Sequence, residues 1–532
     1  MIIVKNKVML RGLLSVTFVA ALGFNSFAQK KNWQNLDLKT DSTFGISTEK
    51  AYAELLKGKK STQVLVGVLD GGVDTKHEDL ARIIWVNKKE IAGNGKDDDK
   101  NGYVDDVNGW NFLGSAKGSI KDETLELTRI IRRDKAKFEG VTAETVKPAD
   151  SAAFKIYQSA IADYEQQTAE AKNVLQNING FKQVLDAMVA KIGKADPTLA
   201  DFQNFTPAAG PETQLKNMMV SQLQSNTFKE FYDGQIVKGL DHYNDQLKYN
   251  LNLDFDPRAE LVGDNYADSK QRNYGVNDVK GPDASHGTHV SGIIAADRTN
   301  TIGIMGVADN VRIMGVRAVP NGDERDKDVA NSIRYAVANG AKVINMSFGK
   351  AYSWDKKAVD EAVKYAMSKD VLLVQAAGND NKNLDKVKSF PDRKFEGGGI
   401  ADAYLVVGAS GPKDDNTLKA SFSNYGKTTV DVFAPGVQIY STTPESKYEA
   451  YDGTSMASPV VAGLAALIRE YYPKLTALQV KEIIMKSVVK VNHNVDLAEE
   501  GGAVKSVPFS DLCITGGIVN AYEALKLAAT YK

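Results

Sequence analysis

The chain has 532 residues, of which 43% are apolar and 25% are charged, which is the balance of a soluble globular protein. Its 66 basic and 67 acidic side chains nearly cancel, so the overall charge gives no reason to expect a nucleic-acid partner. The length exceeds what one hydrophobic core usually organises, so we expect one large domain with an insertion, or two domains. The single cysteine, Cys513, excludes an intramolecular disulfide, and we assign it no function.

The amino terminus has the pattern of an export signal. Basic side chains precede an apolar stretch over residues 12–24, and small residues follow it where a signal peptidase would cleave. The stretch is too short for a membrane anchor. We therefore predict a signal peptide over residues 1–28, a short amino-terminal segment over residues 29–60, and an exported mature chain (periplasmic, cell-surface or secreted) without a transmembrane segment.

An acidic residue follows the first predicted strand. Residues 63–69 are a short apolar, β-branched run, which predicts a buried strand with Asp70 at its carboxyl end. Open α/β sheets place their functional side chains at this end of the strands. Asp70 is therefore the first candidate functional residue.

A dense acidic loop follows. Oxygen-bearing side chains alternate at its first, third and fifth positions, a glycine stands at the sixth, and a main-chain carbonyl is available at the seventh, as in loops that bind Ca²⁺. The twelfth position lacks the usual bidentate glutamate, so Asp105 or Asp106 would have to close the coordination sphere. The alternative is a hydrated acidic turn without an ion. The predicted ligands of a structural Ca²⁺ are Asp97, Asp99, Asn101, Tyr103, Asp105 and Asp106.

Residues 118–254 differ in pattern from the sequence on either side. They are charged and poor in glycine, and apolar residues recur every three or four positions over residues 154–178, which predicts a helix with one apolar face. Two further helices are predicted over residues 181–192 and 212–223, enough for a small antiparallel bundle. We expect this insertion to stand near the active-site cleft, where it would restrict substrate size, bind a partner or add stability.

The remaining sequence alternates between predicted strands and helices. His286 precedes a predicted helix that runs to Ala296, and Ser455 begins a strongly apolar helix with Pro459 in its first turn, where proline is tolerated. This alternation predicts an α/β fold of three layers, a mainly parallel sheet with helices on both faces, with the α-helical insertion added. The predicted strands are 312–316, 342–346 and 371–375, and the helices between them are 328–339 and 353–368.

Asp70, His286 and Ser455 supply an acid, a base and a nucleophile. This is the minimum set for cutting an acyl bond through a covalent intermediate. Taken singly, each residue also has a structural explanation as a turn, packing or loop residue. His289, on the helix that follows His286, is expected to pack or to form hydrogen bonds rather than to act as the base.

The order Asp, His, Ser with these flanking residues resembles the subtilisin-like serine proteases, the subtilase family. The resemblance covers residues 42–115 and 255–530. The motifs that carry it are VLDGG at 68–72, SHGTHV at 285–290, NMSFG at 345–349, AAGN at 376–379, SFSNYG at 421–426, FAPG at 433–436, GTSMASP at 453–459 and GIVNA at 517–521.

The resemblance implies a serine endopeptidase that acts on proteins or peptides. Ser455 would attack the scissile carbonyl, His286 would transfer the proton, and Asp70 would orient the imidazole. Asn379 resembles the family's side-chain donor to the oxyanion, acting with the backbone N–H of Ser455. Two segments resemble the walls of the family's primary specificity pocket, which gives the predicted substrate-binding residues Ser347, Phe348, Gly349, Ala376, Ala377 and Gly378.

The spacing departs from the family. The interval between Asp70 and His286 is several times the roughly thirty residues of subtilisin. We therefore predict a peptidase domain over residues 61–117 and 255–532, with the insertion over 118–254. The alternative is a catalytically silent, subtilase-like binding module whose working surface is the insertion. The intact triad and Asn379 argue against it.

Overall fold

The computed structural model describes residues 30–208, 210–499 and 502–531. The predicted signal peptide lies outside these residues. The chain divides into two compact units. The helical unit is Leu127–Phe255, and the sheet unit comprises Lys30–Glu126 and Asp256–Lys532.

All strands introduced here belong to the sheet unit. In chain order they are β1 (Val64–Asp70), β2 (Gly109–Asn111), β3 (Gly114–Ser115), β4 (Gly118–Ser119), β5 (Val311–Arg317), β6 (Val343–Met346), β7 (Leu372–Ala376), β8 (Tyr404–Ser410), β9 (Val432–Pro435), β10 (Ile439–Thr443), β11 (Lys447–Tyr451), β12 (Val489–Lys490), β13 (Asn494–Ala498), β14 (Val504–Pro508) and β15 (Gly517–Ile518).

Among the described residues, nine of these strands form one sheet in the order β12-β15-β9-β8-β7-β6-β1-β5-β2. Neighbouring strands are parallel from β15 to β2, and the edge strand β12 is antiparallel to β15. The pairs β3-β4, β10-β11 and β13-β14 are short antiparallel ribbons. The predicted mainly parallel α/β sheet is confirmed.

The helices are α1 (Leu38–Asp41), α2 (Thr48–Ala51), α3 (Glu126–Phe138), α4 (Ser151–Ile192), α5 (Leu199–Asn204), α6 (Pro211–Gln222), α7 (Phe228–Phe231), α8 (Lys238–Asp245), α9 (Arg258–Leu261), α10 (Ser285–Ala295), α11 (Asp326–Ala338), α12 (Lys356–Ser368), α13 (Thr454–Tyr471), α14 (Ala477–Lys486) and α15 (Ala521–Ala528). Short 3₁₀ turns cover Trp33–Asn35, Pro148–Asp150 and Phe509–Asp511, and π-helical turns cover Tyr52–Leu56, Tyr232–Val237 and Gln246–Asn250. In the described part of the chain, no helix combines the length and the apolar character that a membrane span requires.

The sheet is covered on both faces, as its nearly continuous apolar strands predict. Side chains alternate along each strand, so Val66 and Val68 of β1 pack in one core with α10 and α13. Leu69 packs in the other core, which includes residues of α11 and α12. This alternation places helices on both faces of the sheet. The carboxyl ends of the strands lie together at one end of the sheet, outside these two helical layers.

The helical unit corrects one detail of the sequence prediction. The stretches 154–178 and 181–192, predicted as separate helices, form the single helix α4. Gly180 lies inside it, where a glycine costs only about 1 kcal/mol relative to alanine, and neither a proline nor a turn motif stops the chain. Leu185 and Met188 then continue the buried face and pack with residues of α5 and α6.

Candidate active site

Asp70 is the last residue of β1, which lies between β5 and β6 in the sheet. Its side chain is only 3% exposed. Oδ1 accepts a hydrogen bond from the N–H of Gly71 at 2.7 Å. The carboxylate is therefore shielded from solvent at the carboxyl end of β1, where two glycines follow the apolar run.

His286 lies in the first turn of α10 and contacts this carboxylate. Its Nδ1 is 2.8 Å from Oδ1 and 2.9 Å from Oδ2 of Asp70. The approach depends on Gly287, because a Cβ there would lie 2.2 Å from the carbonyl oxygen of Gly72 and 3.0 Å from Asp70. Since an ionised carboxylate only accepts hydrogen bonds, Nδ1 donates, and Nε2 is left with a lone pair that can take a proton.

Opposing effects set the pKa of the His286 imidazole. Desolvation lowers the pKa, although 43% of the side chain is exposed. The charge of Asp70 and its hydrogen bond raise it, with a smaller contribution from Asp283, and the net pKa lies above its ordinary value. The carboxylate therefore both orients the ring and stabilises its protonated form.

Ser455 lies in the first turn of α13. Its Oγ donates to the carbonyl oxygen of Ser347 at 3.1 Å. In the part of the chain that the structure describes, no hydrogen bond joins this hydroxyl to His286. The N–H of Ser455 is among the first groups of the helix, which have no acceptor within the helix. The structure thus brings the predicted acid and base into contact and holds the serine hydroxyl on a separate acceptor.

Asn379 follows β7, and its amide is held in one orientation. Oδ1 accepts hydrogen bonds from N and Oγ1 of Thr454, both at 2.9 Å, which leaves Nδ2 as the group available to a ligand. A Cβ placed on Gly453 would lie 3.5 Å from N of Ser455 and 3.6 Å from Nδ2 of Asn379. Two N–H donors therefore border the same small space at the start of α13. Sequence reasoning missed the orienting role of Thr454.

The first predicted wall segment, residues 347–349, follows β6. Ser347 is buried, and its Oγ donates to the carbonyl oxygen of Ser455 at 2.9 Å. Phe348 is also buried, whereas Gly349 is exposed. The segment therefore ties β6 to α13 and presents Gly349 at the surface.

The second predicted wall segment, residues 376–378, leaves the neighbouring strand β7. Ala376 and Ala377 are buried, and the N–H of Ala377 donates to the carbonyl oxygen of Val407 at 2.9 Å. Gly378 is half-buried, and its N–H donates to Oγ1 of Thr454 at 3.0 Å. Because β6 and β7 are adjacent, both segments leave the sheet side by side.

His289 is fully buried. Its Nε2 lies 3.1 Å from the carbonyl oxygen of Glu449, and its ring stacks on Tyr451 with the ring centres 4.3 Å apart. Desolvation lowers the pKa of His289 to about 3, so the ring is neutral. The prediction that it packs and forms hydrogen bonds is confirmed.

Three acidic side chains converge at the predicted calcium loop. Glu90, Asp99 and Asp106 each contribute a carboxylate oxygen to a group in which all oxygens lie within 4.8 Å of one another. Asp106 is fully buried, and desolvation raises the pKa of its carboxyl despite hydrogen bonds from Tyr335 and Asn101. Three carboxylates at this spacing fit a hard divalent cation.

The other predicted ligands have different contacts. The carboxylate of Asp97 accepts hydrogen bonds from two main-chain N–H groups of its own loop. The carboxylate of Asp105 accepts hydrogen bonds from the main-chain N–H groups of residues 94 and 95. The ring of Tyr103 packs against other aromatic rings. Sequence reasoning missed Glu90 because it precedes the loop and follows no ligand spacing.

Comparison with known proteins points to one family. The model described as Peptidase_S8, Subtilase family, matches residues 61–503. The thermophilic serine proteinase of Bacillus sp. (strain AK1) is 45% identical over 185 residues, which cover 35% of this chain and 42% of that protein. Subtilisin DY of Bacillus licheniformis is 40% identical over 197 residues, covering 37% and 67%. Thermitase of Thermoactinomyces vulgaris is 41% identical over 184 residues, covering 34% and 60%.

The aligned segments thus span between 42% and 67% of these relatives' own lengths. The family model reaches further, because it extends from before β1 to the residue that precedes β14. Together with the parallel sheet, the match over most of the chain shows that this protein belongs to the subtilase family, the subtilisin-like serine proteases.

Proposed function

We propose that this protein is an exported serine endopeptidase that hydrolyses peptide bonds through an acyl-enzyme intermediate on Ser455. The observation that carries the proposal is the imidazole of His286, whose Nδ1 lies 2.8 Å from a shielded carboxylate oxygen of Asp70. This pairing leaves Nε2 free to act as a base.

Attack begins with proton transfer from Ser455. Its hydroxyl turns from the carbonyl oxygen of Ser347 to Nε2 of His286 by rotation about the Cα–Cβ bond, since catalytic hydrogen bonds often form only when substrate is bound. His286 takes the proton as Oγ bonds to the scissile carbonyl carbon, and Asp70 stabilises the imidazolium. The protonated ring then gives its proton to the leaving amine.

The developing oxyanion is bound by two N–H donors. Nδ2 of Asn379 and the N–H of Ser455 border the same space beside Gly453, and loss of one such donor costs roughly 10²–10³ in turnover. After the amine leaves, His286 activates a water molecule that attacks the acyl-enzyme through the same tetrahedral geometry. The carboxylic acid product then leaves Ser455.

Substrate binding would use the main chain of the two wall segments, residues 347–349 and 376–378. An extended peptide pairs with exposed N–H and C=O groups, and Gly349 is exposed while Gly378 is half-buried. Proteins and peptides are therefore the proposed substrates. The helical unit would restrict substrate size, bind a partner or add stability.

We also propose a structural Ca²⁺ at the acidic loop. The carboxylates of Glu90, Asp99 and Asp106 would hold it, and the side chains of Asp97, Asn101 and Asp105 with the main-chain carbonyl of Tyr103 would complete the coordination sphere by exchanging their present contacts for the ion. The ion would neutralise carboxylates that otherwise repel one another and would brace the segment between β1 and β2. Residues 1–28 would direct export.

The test is hydrolysis of casein and of a peptide p-nitroanilide by the full chain in the presence of Ca²⁺. We expect activity in the wild type and a loss of roughly 10⁶-fold in kcat in Ser455→Ala. Ser332→Ala is the matched control, because this buried serine of α11 has an Oγ without a hydrogen-bond partner among the described residues. An inactive wild type, or a Ser455→Ala variant that retains activity, would contradict the proposal and favour the silent binding module.

A further inference from the structure

The loop that carries Asn379 is held on both sides by one buried side chain, that of Asn424. Its Nδ2 donates to the carbonyl oxygen of Ala377 at 2.9 Å. Its Oδ1 accepts the N–H of Asp380 at 3.0 Å and the N–H of Lys382 at 2.8 Å. Asn424 is 3% exposed, so these bonds are shielded from water. A single amide thus satisfies main-chain groups before and after Asn379.

The backbone of Asn424 adds a fourth bond to the same loop. Its N–H donates to the carbonyl oxygen of Gly378 at 2.9 Å. Gly378 has φ +99°, and a Cβ there would lie 2.5 Å from Nδ2 of Asn424. The loop therefore lies so close to the side-chain amide of Asn424 that position 378 requires glycine.

Asn424 is itself anchored to the sheet. Oγ of the preceding Ser423 donates to the carbonyl oxygen of Asn424 at 2.9 Å and accepts the N–H of Ala409, in β8, at 2.9 Å. Rigid support thus passes from the central sheet to the loop. Residues 377–382 belong to no helix or strand, so the position of Asn379 depends on this support together with the hydrogen bonds that Thr454 makes to Gly378 and Asn379.

We propose that Asn424 is a positioning residue for the transition state. By fixing the backbone on both sides of Asn379, it aims Nδ2 at the oxyanion. The inference rests on the proposed function, in which Asn379 is the side-chain oxyanion donor. Displacement of a catalytic group by about 1 Å costs roughly 10²-fold in rate, so the support of this loop affects turnover directly.

The test is a double-mutant cycle on the full chain, with a peptide p-nitroanilide as substrate. Asn424→Ala should lower kcat by roughly 10- to 10²-fold with little change in KM, because the oxyanion exists only in the transition state. Asn379→Ala should lower kcat by roughly 10²–10³-fold. If Asn424 acts through Asn379, the double variant should be no slower than Asn379→Ala. Inhibition by a peptide aldehyde, whose adduct carries an oxyanion, should weaken in parallel with kcat.

Asn520→Ala is the matched control. This buried asparagine caps α15 by accepting the N–H of Glu523 and donates to Oγ of Ser47, so its loss should lower Tm while kcat stays unchanged. Asn424→Asp serves as the second variant should the alanine variant not fold. It keeps the acceptor for the two N–H groups but turns an oxygen instead of a donor toward the carbonyl oxygen of Ala377, so kcat should again fall with little change in KM.

The outcomes separate the two proposals. An active wild type in which the two single losses multiply, or in which Asn424→Asp and Asn424→Ala lower Tm but not kcat, would overturn the positioning role alone. A wild type that hydrolyses neither casein nor the nitroanilide would overturn the proposed function and the positioning role with it.

Discussion

The two units of this chain use apolar residues in different ways. In the sheet unit, strands such as β1 and β8 are buried on both faces, and the two cores lie on opposite sides of one sheet. In the helical unit, the long helix α4 buries one narrow face, and the core gathers around Leu185, Met188 and Phe202. A side chain at the end of a strand buried on both faces has little freedom, which is what a catalytic group requires.

All predicted site residues lie in the sheet unit. Asp70 ends β1, Ser455 lies in the first turn of α13, and the carboxylate cluster of Glu90, Asp99 and Asp106 lies between β1 and β2. The proposed chemistry and the contribution of the helical unit are therefore separable by experiment. A substitution in one unit should leave the other unit's property intact.

The largest expected effect is that of Asp70→Asn. The amide would present the wrong partner to Nδ1 of His286, which favours the wrong tautomer, and kcat should fall by roughly 10⁴-fold. The measurement is kcat on a peptide p-nitroanilide, with circular dichroism to show that the fold is kept.

Asp74→Asn is the control for this substitution. Asp74 is also buried, but it contacts Nζ of Lys280 at 3.0 Å and accepts the N–H of Glu445. It should lower stability and keep the wild-type kcat. Equal losses of kcat in the two variants would mean that turnover depends on a buried carboxylate in general and not on the orientation of His286.

The next largest expected effect is a loss of stability in the helical unit alone. Phe202 is fully buried there and stacks on Phe228 with ring centres 6.0 Å apart. Phe202→Ala should destabilise this unit by about 3–5 kcal/mol. All four tryptophans, Trp33, Trp85, Trp110 and Trp354, lie in the sheet unit. Denaturant unfolding should therefore shift when followed by helical circular dichroism and stay in place when followed by tryptophan fluorescence, with peptide hydrolysis unchanged. A common shift of both signals would show that the units unfold as one.

Calcium should act on the sheet unit. At a free Ca²⁺ concentration one hundred times Kd, binding adds about 2.7 kcal/mol of stability. A chelator should therefore lower the tryptophan-monitored Tm, and Asp106→Asn should abolish that response. An identical Tm with Ca²⁺ and with chelator would remove the proposed ion.

The smallest expected effect is on pH dependence. His286 must be neutral to accept the proton of Ser455, and its pKa is raised above the ordinary value of 6.5. The acidic limb of kcat/KM should therefore lie above pH 6.5, and Asp70→Asn should move it down. The same raised pKa means that the charged pair stabilises the fold below the unfolded-state pKa and ceases to do so as pH rises through the folded-state pKa. An acidic limb below 6.5 in the wild type would contradict the assigned pairing.

The sequence alone predicted those features that depend on the pattern of a short stretch of residues. The apolar run before Asp70 indicated a strand that ends at this residue, and the apolar run after Ser455 indicated a buried helix, because both depend on burial along a few residues. It failed where no ligand or motif spacing links the residues that meet in the folded chain. Glu90 precedes the acidic loop and follows no ligand spacing, and no motif linked Asn424 to the loop of Asn379. The continuity of α4 was missed because one glycine costs less than the packing on either side of it provides.

The proposed function requires that the Asp70–His286 pair activates Ser455. The most direct measurement is labelling of the full chain with a fluorophosphonate in the presence of Ca²⁺, followed by mass spectrometry of its peptides. We expect one adduct per chain on Ser455, absent in Ser455→Ala and formed much more slowly in Asp70→Asn. A wild type that remains unlabelled, or that carries its adduct on another residue, would contradict the proposed function.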